Sequence, residues 1–370
     1  MPSEAVHDET PRILAPYVRV GVQDATLFLG FGSIRRPVHD RALWEPLLRL
    51  ADHFLEPRTR SEASEHLHAH HGVDATTVEA AMLLLEDGNC LIPTRAFDRA
   101  DRYSRHALFY ELSGSDAGRV QRRLGTSHVV LLGCGGIGGL LAVTLATAGV
   151  GALTLVDGDH VELSNLTRQF LFTERDIGLP KAEVLSREVG RRNPACAVRP
   201  VVHDVAGPAD VERLPEGDVL VVSADSPGLT KMVNAHCVAS GTTWLNACYV
   251  NDIAVWGPLV IPGVTGCWDC RTLTARPPEN DNSSDVAALI ERVNGRYQAP
   301  SNGPVNMLAS SLAALDVLRH LGGFGTPASL DRRVGVWSHE LALDHQSARR
   351  DPACGTCAGS VPSPQSEGTR

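Results

Sequence analysis

An apolar strand that runs straight into a glycine-rich turn and then a helix leaves a chain few folds to choose from. Residues 129–138 read VVLLGCGGIG, four aliphatic residues followed by Gly133-x-Gly135-x-x-Gly138, with Gly136 between them. Glycines are needed at such a turn because the backbone must approach a phosphate closely and the helix must pack tightly on the strand, its N-terminal amides facing the anion. The next apolar run ends on Asp157, 19 residues past Gly138, where a carboxylate accepts hydrogen bonds from ribose hydroxyls. Further apolar runs at 218–223 (DVLVVS) and 243–247 (TWLNA) follow with helical spacers. This alternation predicts an α/β fold, a doubly wound Rossmann-like domain with a mainly parallel sheet.

The residues beyond Asp157 separate a redox cofactor that stays intact from a nucleotide that is cut. Asp159 comes next, then Ser164-Asn165-Leu166-Thr167-Arg168-Gln169, and then Lys181, one of only two lysines in the chain. Hydride transfer has no use for an Asn, an Arg and a Lys together at this place. Cleaving a triphosphate does need cations, because negative charge builds on the departing pyrophosphate. In Ser223-Ala224-Asp225 a carboxylate stands at the end of a later strand, where it can hold Mg2+ against the phosphates. Ahead of the first strand, Arg102-Tyr103-Ser104-Arg105 is too polar for a core. One of its guanidinium groups can reach a phosphate across a dimer interface, as arginine fingers do.

Cys267-x-x-Cys270 and Cys354-x-x-Cys357 each supply two thiolates from one tight turn. Two such pairs make a closed tetrahedral site for structural Zn2+ that would clip the C-terminal region back onto the sheet. Cys90, Cys134, Cys196, Cys237 and Cys248 read as small buried apolar residues. An odd total of nine cysteines argues against a disulfide framework.

Residues 1–98 form a separate pattern. Residues 17–31 alternate and carry a Gln-Asp turn, which predicts a β-hairpin. Helices are expected over 42–55, 61–70 and 75–86, the last capped by Asp74, and NCLIP at 89–93 gives one more strand. This is the element set of a small winged-helix-like α+β domain. Its 9 arginines, no lysine and 15 acidic residues give a net of −6, which suits a nucleic acid poorly. A module that holds an extended peptide along an exposed strand edge is the better reading.

The whole chain has a formal charge of −9, so nucleic-acid and membrane partners are not expected. No uncharged apolar run approaches the roughly 18 residues of a membrane span, and a cytoplasmic protein is expected. The Pro-, Asn- and Ser-rich stretch 271–304 reads as a mobile crossover loop, and 359–370 as a disordered tail.

The runs RYSR, GCGGIGG, LVDGD, SNLTRQ, GLPK and SAD stand in one order between residues 102 and 225. Together with the cysteine pairs they resemble the adenylating core shared by ubiquitin-activating enzymes and the bacterial ThiF and MoeB proteins. The resemblance implies a ThiF-type adenylation domain over 99–358 in which Gly133, Gly135, Gly136, Gly138 and Asp157 hold ATP. It places Asn165, Arg168, Gln169 and Lys181 around the phosphates, with Asp159 beside them, and Asp225 on Mg2+. It also implies a homodimer in which Arg105 enters the partner's site. The implied reaction is attack of a substrate carboxylate on the α-phosphorus.

LATAGVG, NACYVNDIAV, PGVTGCWDC and the closing CGTC narrow the resemblance to the MccB type of peptide nucleotidyltransferase, which acts in microcin C-like antibiotic biosynthesis. That branch implies a short ribosomal precursor peptide ending in Asn as substrate, residues 1–98 as a peptide clamp, and ATP or another NTP as co-substrate. The product would carry a nucleotidyl group through a phosphoramidate bond. Stretch 271–304 contains no cysteine, in keeping with chemistry that forms no thioester on the enzyme. Asn246, Tyr249 and Asn251 are candidates for the floor under the peptide terminus. The same core motifs leave an alternative, adenylation of the C-terminal Gly of a ubiquitin-like sulfur carrier.

Overall fold

Residues 10–30, 32–270, 284–297 and 299–360 are described by the computed structural model, and the chain separates into two units, 1–121 and 122–370. In the first unit β1 (Arg12–Leu14) precedes the expected hairpin of β2 (Val20–Gln23) and β3 (Thr26–Leu29). The hairpin turn lies one residue later than Gln23-Asp24. Asp24 and Ala25 take the positive φ angles of 46° and 57° that a two-residue loop between right-twisted strands requires. A third strand, β4 (Arg36–Val38), pairs with β3 and carries Pro37, which suits it to an edge.

Three helices follow: α1 (Trp44–His53), α2 (Arg60–His71) and α3 (Ala75–Asp87). Thr59 and Glu62 close a capping box on α2, and Asp74 Oδ1 accepts from Thr77 N at 3.0 Å to cap α3, as its sequence predicts. Leu27, Leu29, Leu47, Leu50, Phe54 and Met82 make the core of this unit. β5 (Leu91–Pro93) returns to pair antiparallel with β1, a partnership 77 residues distant that no local pattern announces. α4 (Ser104–Leu112) carries Arg105 on its exposed side.

α5 (Ala117–Thr126) leads into the second unit. There β6 (His128–Leu132), α6 (Gly136–Thr147), β7 (Ala152–Val156), α7 (Lys181–Arg192) and β8 (Ala197–Val201) build one half of the sheet. The short α8 (Pro208–Glu212), then β9 (Val219–Val222), α9 (Leu229–Ser240) and β10 (Thr243–Val250) build the other half. β11 (Ile253–Val260) follows, then α10 (Ser284–Asn294), α11 (Gly303–Gly322), β12 (Arg332–Trp337) and β13 (Leu343–Ser347). The order is β13-β12-β11-β10-β9-β6-β7-β8, with β10 to β8 parallel and β11 to β13 added antiparallel.

Strand order reverses at β6, since β7 and β8 extend one way while β9 and β10 extend the other. The crevice at the carboxyl ends of β6 and β9 is therefore the switch point at which such sheets bind ligands. α11 closes the back of the glycine-loop helix, Ser310 Oγ donating to the Ile137 carbonyl at 3.0 Å. Stretch 271–304, expected to be a mobile crossover loop, contains α10 and the first two residues of α11. Its residues 271–283 and 298 lie outside the described residues, as does most of the expected tail. No helix among the described residues is long and apolar enough to cross a membrane.

Candidate active site

The glycine loop fills the switch point so tightly that Gly133, Gly136 and Gly138 are steric requirements. Gly133 has φ +100°, and a Cβ there would stand 2.7 Å from Ala224 N and 2.9 Å from the Ser223 carbonyl carbon. At Gly138 a Cβ would run into the Gly133 carbonyl oxygen, so α6 could not pack against its own loop. Ser223 Oγ donates to the Gly133 carbonyl at 3.0 Å and ties the loop to the end of β9. Ser223 was visible in the sequence only as the residue beside Ala224-Asp225.

Asp157, at the end of β7, reaches under the loop. Its Oδ2 accepts from Cys134 N at 2.6 Å and its Oδ1 from Asp159 N at 2.8 Å. Burial pushes this carboxyl up from its ordinary range, while the two amides and Lys181 pull it back. Each oxygen keeps a lone pair beyond its amide bond, so the carboxylate can brace the loop and still accept from a ribose.

Lys181, first residue of α7, is buried, and its Nζ lies 2.7 Å from Asp159 Oδ2. Asn165 is buried too, its Oδ1 accepting from Glu162 N at 3.1 Å, which fixes the tight turn that carries Arg168 and Gln169. Arg168 is half-buried and donates to the Ser164 carbonyl at 2.9 Å. Gln169 is 7% exposed and its Oε1 finds no partner among the described residues. It lines a crevice with Cys134, Gly135, Gly136, Leu140 and Phe172, its Nε2 standing 3.6 Å from where a Cβ on Gly135 would sit. A buried amide with an idle oxygen is expensive in a closed core, so its place beside the glycine loop suits a group that waits for a ligand.

Asp225 stands exposed just past β9. The second unit thus brings together Gly133 to Gly138, Asp157, Asp159, Lys181 and Gln169, with Asp225 at the next strand end. Arg105 belongs to the first unit, and its relation to the loop is a matter of proposal. Asn246 is buried at a bulge in β10, its Nδ2 donating to the Val222 carbonyl at 3.3 Å. Tyr249 is half-buried, and Asn251, at φ +52°, accepts from the Tyr297 hydroxyl at 2.8 Å. Asn306 escaped sequence reasoning: 2% exposed on α11, it puts its amide where a side chain on Gly136 would have to go.

The four cysteines of the two pairs converge, all Sγ atoms within 4.8 Å of one another and all buried. The Cys267–Cys354 and Cys270–Cys357 sulfur distances are both 3.7 Å. Around them Asp269 Oδ2 accepts from Asn234 Nδ2 at 3.0 Å and from Thr356 Oγ1 at 2.8 Å, joining both cysteine turns to α9. An all-thiol set of this size, closed and oriented by outer hydrogen bonds, fits a structural Zn2+. Cys90, Cys134, Cys196 and Cys237 are buried as expected, whereas Cys248 is half-buried.

A glycine loop at a switch point, braced from below by a carboxylate and flanked by a lysine, defines a nucleotide-binding enzyme of the Rossmann class. The sequence model of the ThiF family matches residues 103–356. The chain belongs to the ThiF family and is an ATP-dependent adenylyltransferase. It is 32% identical over 267 residues to the sulfur carrier protein ThiS adenylyltransferase of Escherichia coli, covering 71% of this chain and 97% of that one. The structure of the microcin C7 biosynthetic enzyme MccB with N-formylated MccA superposes with a TM-score of 0.88 at 36% identity, covering 94% of this chain and 99% of that one. E. coli MccB with ATP superposes at a TM-score of 0.86 and 35% identity, with the same coverage.

Proposed function

We propose that the protein activates the C-terminal carboxylate of a short ribosomal peptide ending in Asn and attaches a nucleotidyl group to it through a phosphoramidate bond. One observation carries this reading. The family model begins at residue 103, yet the likeness to MccB extends over 94% of the chain and so takes in the N-terminal elements as well. Residues 1–98 are the peptide clamp and 99–358 the adenylation domain.

The peptide carboxylate attacks the α-phosphorus of ATP, or another NTP, and pyrophosphate leaves. Lys181 and Arg168 neutralise the charge that builds on it. Asn165 and Gln169 orient the phosphates, Gly133, Gly135, Gly136 and Gly138 cradle them, and Asp157 holds the ribose. Asp225 would hold the Mg2+ that screens the triphosphate, and Asp159, paired with Lys181, stands on the nucleotide side. The Asn side-chain nitrogen then displaces AMP from the acyl carbon to close a succinimide. The succinimide nitrogen, losing its proton, attacks the α-phosphorus of a second nucleotide and releases a second pyrophosphate. No enzyme nucleophile is required, which agrees with a crossover stretch free of cysteine. The working unit is a cytoplasmic homodimer with Arg105 reaching into the partner's site.

The test is to incubate the protein with each NTP, Mg2+ and an Asn-ended peptide encoded beside its gene, and to weigh the peptide. A nucleotidyl mass gain is expected, and no gain with any NTP overturns the proposal. The 32% identity to the ThiS adenylyltransferase favours a second reading, activation of a sulfur carrier ending in Gly. Pyrophosphate exchange that depends on such a carrier and ignores short peptides would establish it instead.

A further inference from the structure

A group of imidazoles in the first unit takes no part in the nucleotide chemistry. Residues 66–71 read HLHAHH, and α2 sets His66 against His53 at the end of α1, with His70 and His71 packed on His66. His53 and His66 stack with ring centroids 4.1 Å apart and planes at 7°, and His66 and His70 lie 4.6 Å apart at 28°. His71 meets His66 edge-on at 5.4 Å. His68 stands apart: among the described residues no ring contact joins it to this group, and its Nδ1 lies 3.0 Å from the Val73 carbonyl oxygen.

The close stacking of His53 on His66 disfavours charge on both rings at once. Burial first, then the neighbouring histidines and Arg58, hold His53 and His66 below the ordinary imidazole range, with Glu62 and Asp52 opposing this at His53. Glu62 is committed to the α2 cap, accepting from Thr59 N at 2.8 Å. His70 Nδ1 lies 3.2 Å from the His66 carbonyl oxygen. Donating that bond puts the proton on Nδ1 and leaves the Nε2 lone pair turned outward, the arrangement metal-binding histidines adopt.

We propose that His53, His66 and His70, with His71 beside them, form a second metal site for a divalent ion that favours imidazole, such as Zn2+, Ni2+ or Cu2+. Spacing supports it, because residues four apart on a helix present their rings to one ion, and His53 adds a third donor from a different helix. Among the described residues only the four cysteines have donor atoms already gathered within 4.8 Å. The imidazoles are stacked and must turn about their side-chain bonds to converge, a change that exposed or half-buried rings make between ordinary rotamers. The bound ion would clip α1 to α2.

The test uses tag-free protein with its zinc content kept, titrated with Ni2+ by calorimetry at neutral pH and near pH 5.5, and with Co2+ by visible absorption. One equivalent of Ni2+ is expected, weakened at least about tenfold by His66→Gln and by His70→Gln, and weakened by acid because protons compete for the rings. Co2+ should give ligand-field bands without sulfur charge transfer. Circular dichroism checks the fold, and His70 is exposed, so its variant tests the site without disturbing the core. Absent binding, equal binding in both variants, or Co2+ spectra of thiolate type would each overturn the proposal.

Discussion

The Lys181 ammonium lies 2.7 Å from Asp159 Oδ2, and the Lys181 amide donates to the Asp159 carbonyl at 2.9 Å, so one residue clips the DGD turn to the start of α7 twice. The pair is lopsided. Lysine is buried and aspartate is mostly in solvent, so removing one partner is not equivalent to removing the other. Asp159→Ala takes the acceptor from a buried ammonium and should lower stability on the order of 1–3 kcal/mol. Lys181→Met leaves an aspartate that water can solvate, so stability should change less. Pyrophosphate exchange, however, should fall roughly 100- to 1000-fold with the loss of charge at the leaving group. Urea unfolding and exchange assays on both variants check the contrast.

Gly138→Ala tests the loop. A Cβ at this position meets the Gly133 carbonyl oxygen and comes within 2.7 Å of Ser223 Oγ, so α6 must move off the strand. Displacement of about 1 Å at a reacting phosphate costs on the order of 100-fold in rate, and overpacking of this kind costs about 1–3 kcal/mol. Both the exchange rate and the melting temperature should drop. Gly125→Ala, in α5 with open space around it, is the control that should lower neither.

How far the sequence reaches depends on the range of the interaction that makes each element. The Asp74 cap, the glycine turn and the cysteine turns are local, so spacing alone exposes them. β1 with β5, and β11 with β12, depend on partners far along the chain, and β13 (LDHQS), though it pairs with the neighbouring β12, is exposed throughout and has no apolar alternation to betray it. Asn306 and Asn234 belong to buried networks whose members lie on different elements, where a single asparagine in a helix carries no mark of its role. Thr59 and Glu62, in contrast, leave a capping-box signature three residues apart that a closer reading of the sequence could have used.

The four-thiol cluster gives a prediction about metal. At least one tightly held Zn2+ per chain should be found by elemental analysis, and its removal from the cysteine cluster by a strong chelator should lower the melting temperature, because the ion ties residue 354 back to residue 267. Asp269→Ala should weaken retention of zinc by about tenfold or more, through loss of the bonds from Asn234 and Thr356 that orient the turns. A competition assay with a coloured chelator measures both.

His320, near the end of α11, supplies a pH dependence. Burial and the nearby Arg123 lower its pKa to about 4, with Asp218 opposing, and its Nδ1 is buried without a partner among the described residues. The folded value lies below the unfolded one, so between the two the unfolded chain binds the extra proton. Its contribution is full above about pH 6.5 and is lost as pH falls toward 4. On the order of 1–3 kcal/mol of stability should disappear over that window, allowing for partial exposure. His320→Leu should flatten this part of the curve in chemical denaturation followed at stepped pH.

The proposed homodimer makes a prediction that neither subunit can fulfil alone. Arg105→Ala and Asp225→Ala should each abolish exchange, since one removes a charge supplied from the partner and the other the carboxylate proposed for Mg2+. When the two proteins are mixed under conditions that let subunits exchange, half the dimers become mixed, and each mixed dimer has one site with both residues intact. Activity should then recover to about one quarter of the wild-type value at equal ratio, the statistical limit for two sites per symmetric dimer. Recovery depends on Arg105 acting across the interface. If it serves the site of its own chain, every site in every mixed dimer lacks one of the two residues and the mixture stays inactive.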